Sequence, residues 1–322
     1  MDAALTKNIV ALTPVNLASA ARRDHVHLVG VPFNSNGTTY GVAGAPSALR
    51  RAGLVEELVA AGLTVNDRGD VDLDPANPAR DVQSHVVAVA ALGSMVAKVK
   101  RAVGESLDDG AFPVVLGGDC PVLLGCLAAA ATRGGPGVLF IDGHEDAWSP
   151  EQSTTGEAAD MELGWLLGRS IDGLPADLRR EIPSLDAHEL IVLGARDSSE
   201  LADSGVESII GLVPIVRPAE IADNPAAVAD WAASTLSSHG PWWLHVDLDV
   251  LSTEDFPSVD YKQAGGIDWL TLTEVTERAI ASPAVLGWTI TIYNPDLDPD
   301  GGGAVRIIRY VTDSLRSRME PT

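Results

Sequence analysis

Short apolar runs recur along the chain, each followed by a stretch whose apolar residues are spaced as on one face of a helix. Residues 25–33 (HVHLVGVPF), 112–116 (FPVVL), 137–141 (GVLFI), 189–194 (ELIVLG), 242–246 (WWLHV) and 285–293 (VLGWTITIY) read as strands. Most are nearly continuous in apolar character rather than alternating, which marks strands covered on both faces. Helices are predicted over 45–61, 81–104, 121–132, 158–169, 225–238, 271–281 and 304–318. The first follows Gly44 and carries Pro46 near its start, where a missing N–H is no loss. Strands alternating with helices build a parallel sheet between helical layers. No repeat, low-complexity linker or composition break divides the chain. A single three-layer α/β/α domain with a mainly parallel sheet, over residues 1–322, is therefore predicted.

Composition narrows the functional class. With 46% hydrophobic and 21% charged residues, the chain has the make-up of a globular protein with a large core. Its net charge of −23 opposes nucleic acid or an anionic membrane surface as partner. No run approaches the roughly 18 apolar residues of a membrane-spanning helix. Residues 1–24 lack the basic start and continuous apolar core of a signal peptide. Cys120 and Cys126 give no disulfide framework. A cytoplasmic protein acting on a small molecule is the expectation.

The chemistry gathers at strand ends. Asp142–Asp146 (DGHED) follows one apolar run and Asp247–Asp249 (DLD) another. In an extended segment, residues two apart share a face. Asp142, His144 and Asp146 are then expected to point one way, and Asp247 and Asp249 likewise. Carboxylates at such density repel unless a cation holds them, so a metal site is the natural reading. A third strand ends at Asp119–Cys120, and parallel sheets bind ligands beyond the carboxyl ends of their strands.

These blocks resemble those of the ureohydrolase superfamily, which includes arginase, agmatinase and formiminoglutamase. That family carries GGDHS, DAHxD and SxDxDxxDP after successive strands; this chain has GGDC at 117–120, DGHED at 142–146 and HVDLD at 245–249. GAPSALR at 44–50, ELIVLGARD at 189–197, AGGIDWLTLTE at 264–274 and YNP at 293–295 resemble further family segments in the same order. The resemblance implies the arginase-like fold, a homotrimer or hexamer, and a binuclear metal centre, most often of manganese. Asp142 and Asp247 would bridge the ions, Cys120 and Asp146 would complete one site, and His144 and Asp249 the other. A hydroxide between the ions is then the expected nucleophile, with Asp146 as a catalytic residue.

The chain also departs from the family pattern. Cys120 stands where the family has histidine, and a thiolate favours Zn²⁺, Ni²⁺ or iron over Mn²⁺. Its alternative is an inert buried thiol beside a single ion, and Cys126 reads as core. Aligning STTGEAADMELGWLL (153–167) with the family places Ala159 at the proton-shuttling histidine. Trp148 falls at a substrate-gripping asparagine, and Ile292 at the guanidinium-binding glutamate. An inefficient arginase is expected. His245 replaces a family serine and has two readings, a proton donor to the leaving nitrogen or a packed core histidine. Glu145 and Glu157 are candidates to bind a cationic substrate end, and Trp148, Trp288 and Tyr293 to shape an apolar pocket. The reading from another class is a catalytically degenerate scaffold or binding protein of the same fold. Retention of all five Asp/His ligands favours a hydrolase of a non-peptide C–N bond.

Overall fold

The computed structural model describes residues 23–135 and 137–319. Whether the domain extends over residues 1–22 and 320–322, and most of the signal-peptide reading, therefore lie outside the described residues. The sheet comprises β1 (His25–Val31), β2 (Thr64–Asp70), β3 (Phe112–Gly117), β4 (Gly137–Ile141), β5 (Leu190–Leu193), β6 (Ile215–Val216), β7 (Trp242–Asp247) and β8 (Val285–Thr291). Its order is β2-β1-β3-β8-β7-β4-β5-β6, with every neighbouring pair parallel.

Because side chains alternate along a strand, the sheet feeds two apolar layers. Leu28, Leu116, Leu139, Ile141 and Leu244 enter the first, packed against α1 (Ala45–Arg51) and α2 (Leu54–Ala60). Val29, Val115, Phe140 and Trp243 enter the second, covered by α3 (Val89–Asp108), α4 (Val122–Ala130), α5 (Glu162–Leu166) and α6 (Ala176–Glu181). Next in the chain come α7 (Ser198–Asp203), α8 (Pro218–Asp223), α9 (Pro225–His239), α10 (Trp269–Ala281) and α11 (Gly302–Ser317). The last four complete the first layer through Ile221, Ala229, Leu272 and Ile307. Full burial of a leucine or isoleucine contributes about 1.5–3 kcal/mol, so these layers hold the strand ends rigidly in place.

Some predicted elements differ in detail. The helix expected over 45–61 breaks into α1 and α2 at Gly53, whose φ of +97° ends the first segment. The helix expected over 81–104 begins only at Val89. Before it, the Asp81 carboxylate accepts the Gln83 and Ser84 amides at 3.0 and 2.7 Å. His85 and Ala88 then adopt positive φ. A side chain bonding its own backbone competes with helix in this way. The helix expected over 158–169 shrinks to a tight turn at Ala158–Asp160 and the short α5. The edge strand β2 (TVNDRGD) had no apolar run to announce it, and the two-residue β6 lies in a short run interrupted by Pro214 (LVPIV, 212–216).

The four central strands, β3, β8, β7 and β4, are consecutive in the sheet. Their carboxyl ends deliver Cys120, Ile292, Asp247–Asp249 and Asp142–Asp146 to one edge.

Candidate metal centre and cavity

Both acidic motifs fold as side-chain-capped turns rather than as the expected strand extensions. β4 stops at Ile141, and the Asp142 carboxylate accepts the His144 amide at 2.7 Å. The Asp247 carboxylate accepts the Asp249 amide at the same distance. Aspartate favours such turns because its carboxylate reaches the amide two residues on. Asp146 has a φ of +41°, a left-handed conformation that aspartate tolerates better than most residues. The predicted convergence is thus achieved by turning. Gly143 is needed there, since a Cβ would stand 2.8 Å from Asp249 Oδ1 and crowd Arg196.

Potential ligand atoms lie within 4.8 Å of one another in overlapping sets. These are Asp142–His144–Asp146, Asp142–Asp247–Asp249, Cys120–Asp146–Glu162 and Cys120–Asp142–His245. All these groups are buried except His144, which is partly exposed. His144 Nδ1 lies 3.1 Å from Asp249 and 3.5 Å from Asp142. Burial opposes its charge, but those two carboxylates hold His144 well above its ordinary range. Asp249 is correspondingly lowered despite its burial, by His144 and then Arg196. Arg196 Nη2 also donates to the Asp249 carbonyl at 2.7 Å.

The other side of the cluster has no such cation. Cys120 Sγ donates to Asp247 at 2.6 Å and meets Thr291 Oγ1 at 3.2 Å. Burial, with Asp247 and Asp142 close by, raises the Cys120 thiol well above its usual range. Burial first and neighbouring carboxylates second push Asp146 and Asp247 far up, and Asp142 to about 6. Asp119 fixes the approach to Cys120 by accepting the Ser35 and Cys120 amides at 2.8 and 3.0 Å.

A cavity of about 180 Å³ opens above these groups. Cys120, His144, Asp146, Asp247 and Asp249 face it from below, and Trp148, Ala159 and Ile292 form apolar parts of its wall. Ile292 has a φ of +66°, an outlier for a β-branched side chain and the kind of strain that collects at ligand sites. Asp197, Glu200, Tyr261 and Lys262 contribute polar groups.

Other candidates do not face the cavity. His245 is fully buried, stacked on Phe140 with ring centroids 4.7 Å apart, and is not among the cavity-lining residues. Burial lowers its pKa to about 3, so the ring is neutral near pH 7. The proton-donor reading is corrected to the packed one. Glu145 is buried and bonded to Ser208 Oγ and the Ile209 amide, both at 2.7 Å, so it binds no substrate. Glu157 stands behind the cavity, accepting from Tyr261 at 3.1 Å. Trp288 is core, and Tyr293 donates to Asp298 at 2.8 Å rather than shaping the cavity. Cys126 is core as well, pushed up to about 12 by burial. Sequence reasoning missed Glu162, Asp197 and Tyr261. A single carboxylate within the apolar run MELGWLL was the available signal for Glu162.

The sequence model of the Arginase family matches residues 24–315, and the chain belongs to that family. An arginase from Brevibacillus brevis is 28% identical over 256 residues, covering 76% of this chain and 82% of that protein. An arginase from Bacillus subtilis (strain 168) is 27% identical over 282 residues, covering 85% and 91%. The native structure of arginase from Bacillus caldovelox superposes with a TM-score of 0.77 at 24% identity, covering 92% of this chain and 98% of that one. That last likeness concerns the fold. Among the described residues no helix is long and apolar enough to cross a membrane.

Proposed function

We propose that this chain is a binuclear metal-dependent hydrolase of a non-peptide C–N bond in a small amidine, guanidine, hydroxyguanidine or amide, and an inefficient arginase. The supporting observation is the set of overlapping donor groups at the base of the cavity in a member of the Arginase family. Cys120 and Asp146 would hold one ion, His144 and Asp249 the other, and Asp142 and Asp247 would lie between them. The donors fit: Asp142 Oδ2 is buried with no hydrogen-bond partner among the described residues, a state a cation relieves. The oxygen-rich set suits Mn²⁺, while the Cys120 sulfur admits Zn²⁺, Ni²⁺ or iron.

When bound, such ions polarise the substrate and bring the pKa of a coordinated water toward neutrality. The chain's own residues orient the substrate and manage its protons. Asp146 faces the cavity, so a carboxylate oxygen left free by the ion would be placed to take up a proton and pass it to the departing nitrogen. Trp148, Ala159 and Ile292 present no charge to a guanidinium, and a missing buried partner costs about 3–5 kcal/mol. Asp197 and Glu200 favour a substrate with a cationic end. His245 supports Thr291, whose Oγ1 lies 3.5 Å from its Nε2 and which in turn contacts Cys120.

The test is urea or ammonia release by metal-loaded protein from a panel of guanidines, hydroxyguanidines, formimino compounds and amides. Turnover of at least one panel member is expected. No release from protein holding two ions per chain would leave the scaffold reading. The family resemblance also supports a cytoplasmic homotrimer or hexamer, which light scattering checks for assembly.

A further inference from the structure

Glu162, the first residue of α5, is fully buried. Neither of its carboxylate oxygens meets a hydrogen-bond donor among the described residues, apart from the Asp146 carboxyl when one of the two acids is protonated. An unpaired buried carboxylate is costly unless it is protonated or bound to a cation. Its ligand atom lies within 4.8 Å of those of Cys120 and Asp146. The ion pairs found inside the cluster both belong to His144, with Asp142 and Asp249. The Cys120 side therefore gathers a thiol and two carboxyl groups without a cation, because the nearby His245 ring is neutral.

The segment carrying Glu162 is tied to the cluster. The Asp146 carbonyl accepts the amides of Leu163 and Gly164 at 3.0 and 3.2 Å. Leu163 and Trp165 anchor α5 in the second apolar layer. Asp146 and Glu162 are thus held against each other by backbone and core together, and neither can swing out to water without disrupting both.

We propose that Glu162 is a metal ligand, completing with Cys120 and Asp146 an ion site whose donors are one sulfur and carboxylate oxygens. This rests on the binuclear reading above and extends it to a residue outside the six ligands assigned there. The donor set suits a divalent cation that accepts mixed sulfur and oxygen ligands, such as Zn²⁺, Co²⁺ or Fe²⁺. Such a cation balances the negative charge that Cys120, Asp146 and Glu162 would carry when ionised.

The experiment compares wild type with Glu162→Gln, which keeps shape and removes the anion. Ions per chain are counted by emission spectroscopy after dialysis, and the protein is titrated with Co²⁺ while the near-ultraviolet thiolate-to-cobalt band is followed. Wild type is expected to hold two ions and show the band. Glu162→Gln should retain the ion beside His144 and weaken the second by at least about 10²-fold, since loss of mere outer partners already costs 10–100-fold. The thiolate band should fade with it. Glu162→Asp, which keeps the charge but is one methylene shorter, should fall between the two and serves if the glutamine variant does not fold. Unchanged second-ion affinity in the folded variants would overturn the Glu162 assignment alone, leaving a protonated carboxyl in contact with Asp146. A wild type that binds no metal would overturn the binuclear reading and this inference with it.

Discussion

The base of the cavity differs in how it treats charge from the part of the wall formed by Trp148, Ala159 and Ile292. At the base, Cys120, Asp142, His144, Asp146, Asp247 and Asp249 crowd acidic and metal-binding groups into a buried space. On the wall, Trp148, Ala159 and Ile292 are uncharged, at the positions that align with polar family residues. On the proposed reading, the base would activate water while the altered wall positions would hold a different substrate beside it. Fold alone does not fix function, so the base and the wall have to be tested separately.

The largest expected effect tests the wall. A guanidinium facing Ile292 is left without charge-assisted hydrogen bonds, and unpaired polar groups of this kind discriminate on the order of 10⁴-fold. L-Arginine and agmatine are therefore expected to be turned over with kcat/KM below roughly 10⁴ M⁻¹s⁻¹. Faster urea release would erase the contrast and show that an acidic group of the lining, such as Asp197 or Glu200, serves the guanidinium.

The next tests the base. Asp247→Asn removes one carboxylate from between the two proposed ion sites. It should lower the metal content below two ions per chain and reduce turnover of the best substrate on the order of 10³-fold, the scale of losing a strong electrostatic stabiliser. A variant retaining both ions and full turnover would mean that Asp247 only anchors Cys120 and the Asp249 turn.

A smaller effect concerns stability without metal. Burial raises Asp142 and Asp119 to about 6 in the folded chain, against an ordinary carboxylate value near 4. The unfolded chain then releases its protons first. These groups favour folding fully below about pH 4, and that contribution is lost as pH rises through about 6. Chelated protein is expected to melt at a lower temperature at pH 8 than at pH 5. Metal at 100 times its Kd restores about 2.7 kcal/mol at pH 8. Calorimetry showing equal melting of chelated protein at both pH values would place these carboxylates outside the charge balance.

Much of the base was legible in sequence because DGHED and DLD place chemically distinctive residues two apart, directly after apolar runs. The convergence was readable even though its geometry was not. An aspartate that can bond the second amide on turns the chain as soon as the strand ends. Three layers and a parallel sheet followed from the apolar runs, while β2 stayed hidden because an edge strand need not be apolar. The wall was readable only through family resemblance, since an isoleucine in an apolar stretch looks like any other core residue. Glu162 was overlooked for a related reason: the alignment directed attention to Ala159, three residues earlier. Glu145, between two proposed ligands in the sequence, turns toward Ser208, a direction that spacing alone cannot supply.

The smallest expected effect compares the two halves of the base. Beside His144 an imidazole already balances Asp142 and Asp249, whereas Cys120 offers a thiol that burial holds protonated until a cation displaces its proton. Imidazole is a better donor than thiolate for Mn²⁺, and thiolate the better one for softer ions. Cys120→His is therefore expected to tighten Mn²⁺ at the second ion by about tenfold, roughly 1.4 kcal/mol, and to lower the preference for Zn²⁺. The larger ring enters a position that is 2% exposed, against Thr291 and Asp247. Overpacking of this kind costs about 1–3 kcal/mol of fold stability, so melting temperature is measured beside affinity. Stronger Mn²⁺ binding despite lower stability would place position 120 at the ion. Equal or weaker Mn²⁺ binding in a variant that still folds would instead make Cys120 a buried neighbour of Asp247, and the asymmetry of the base would rest on Asp146 and Glu162.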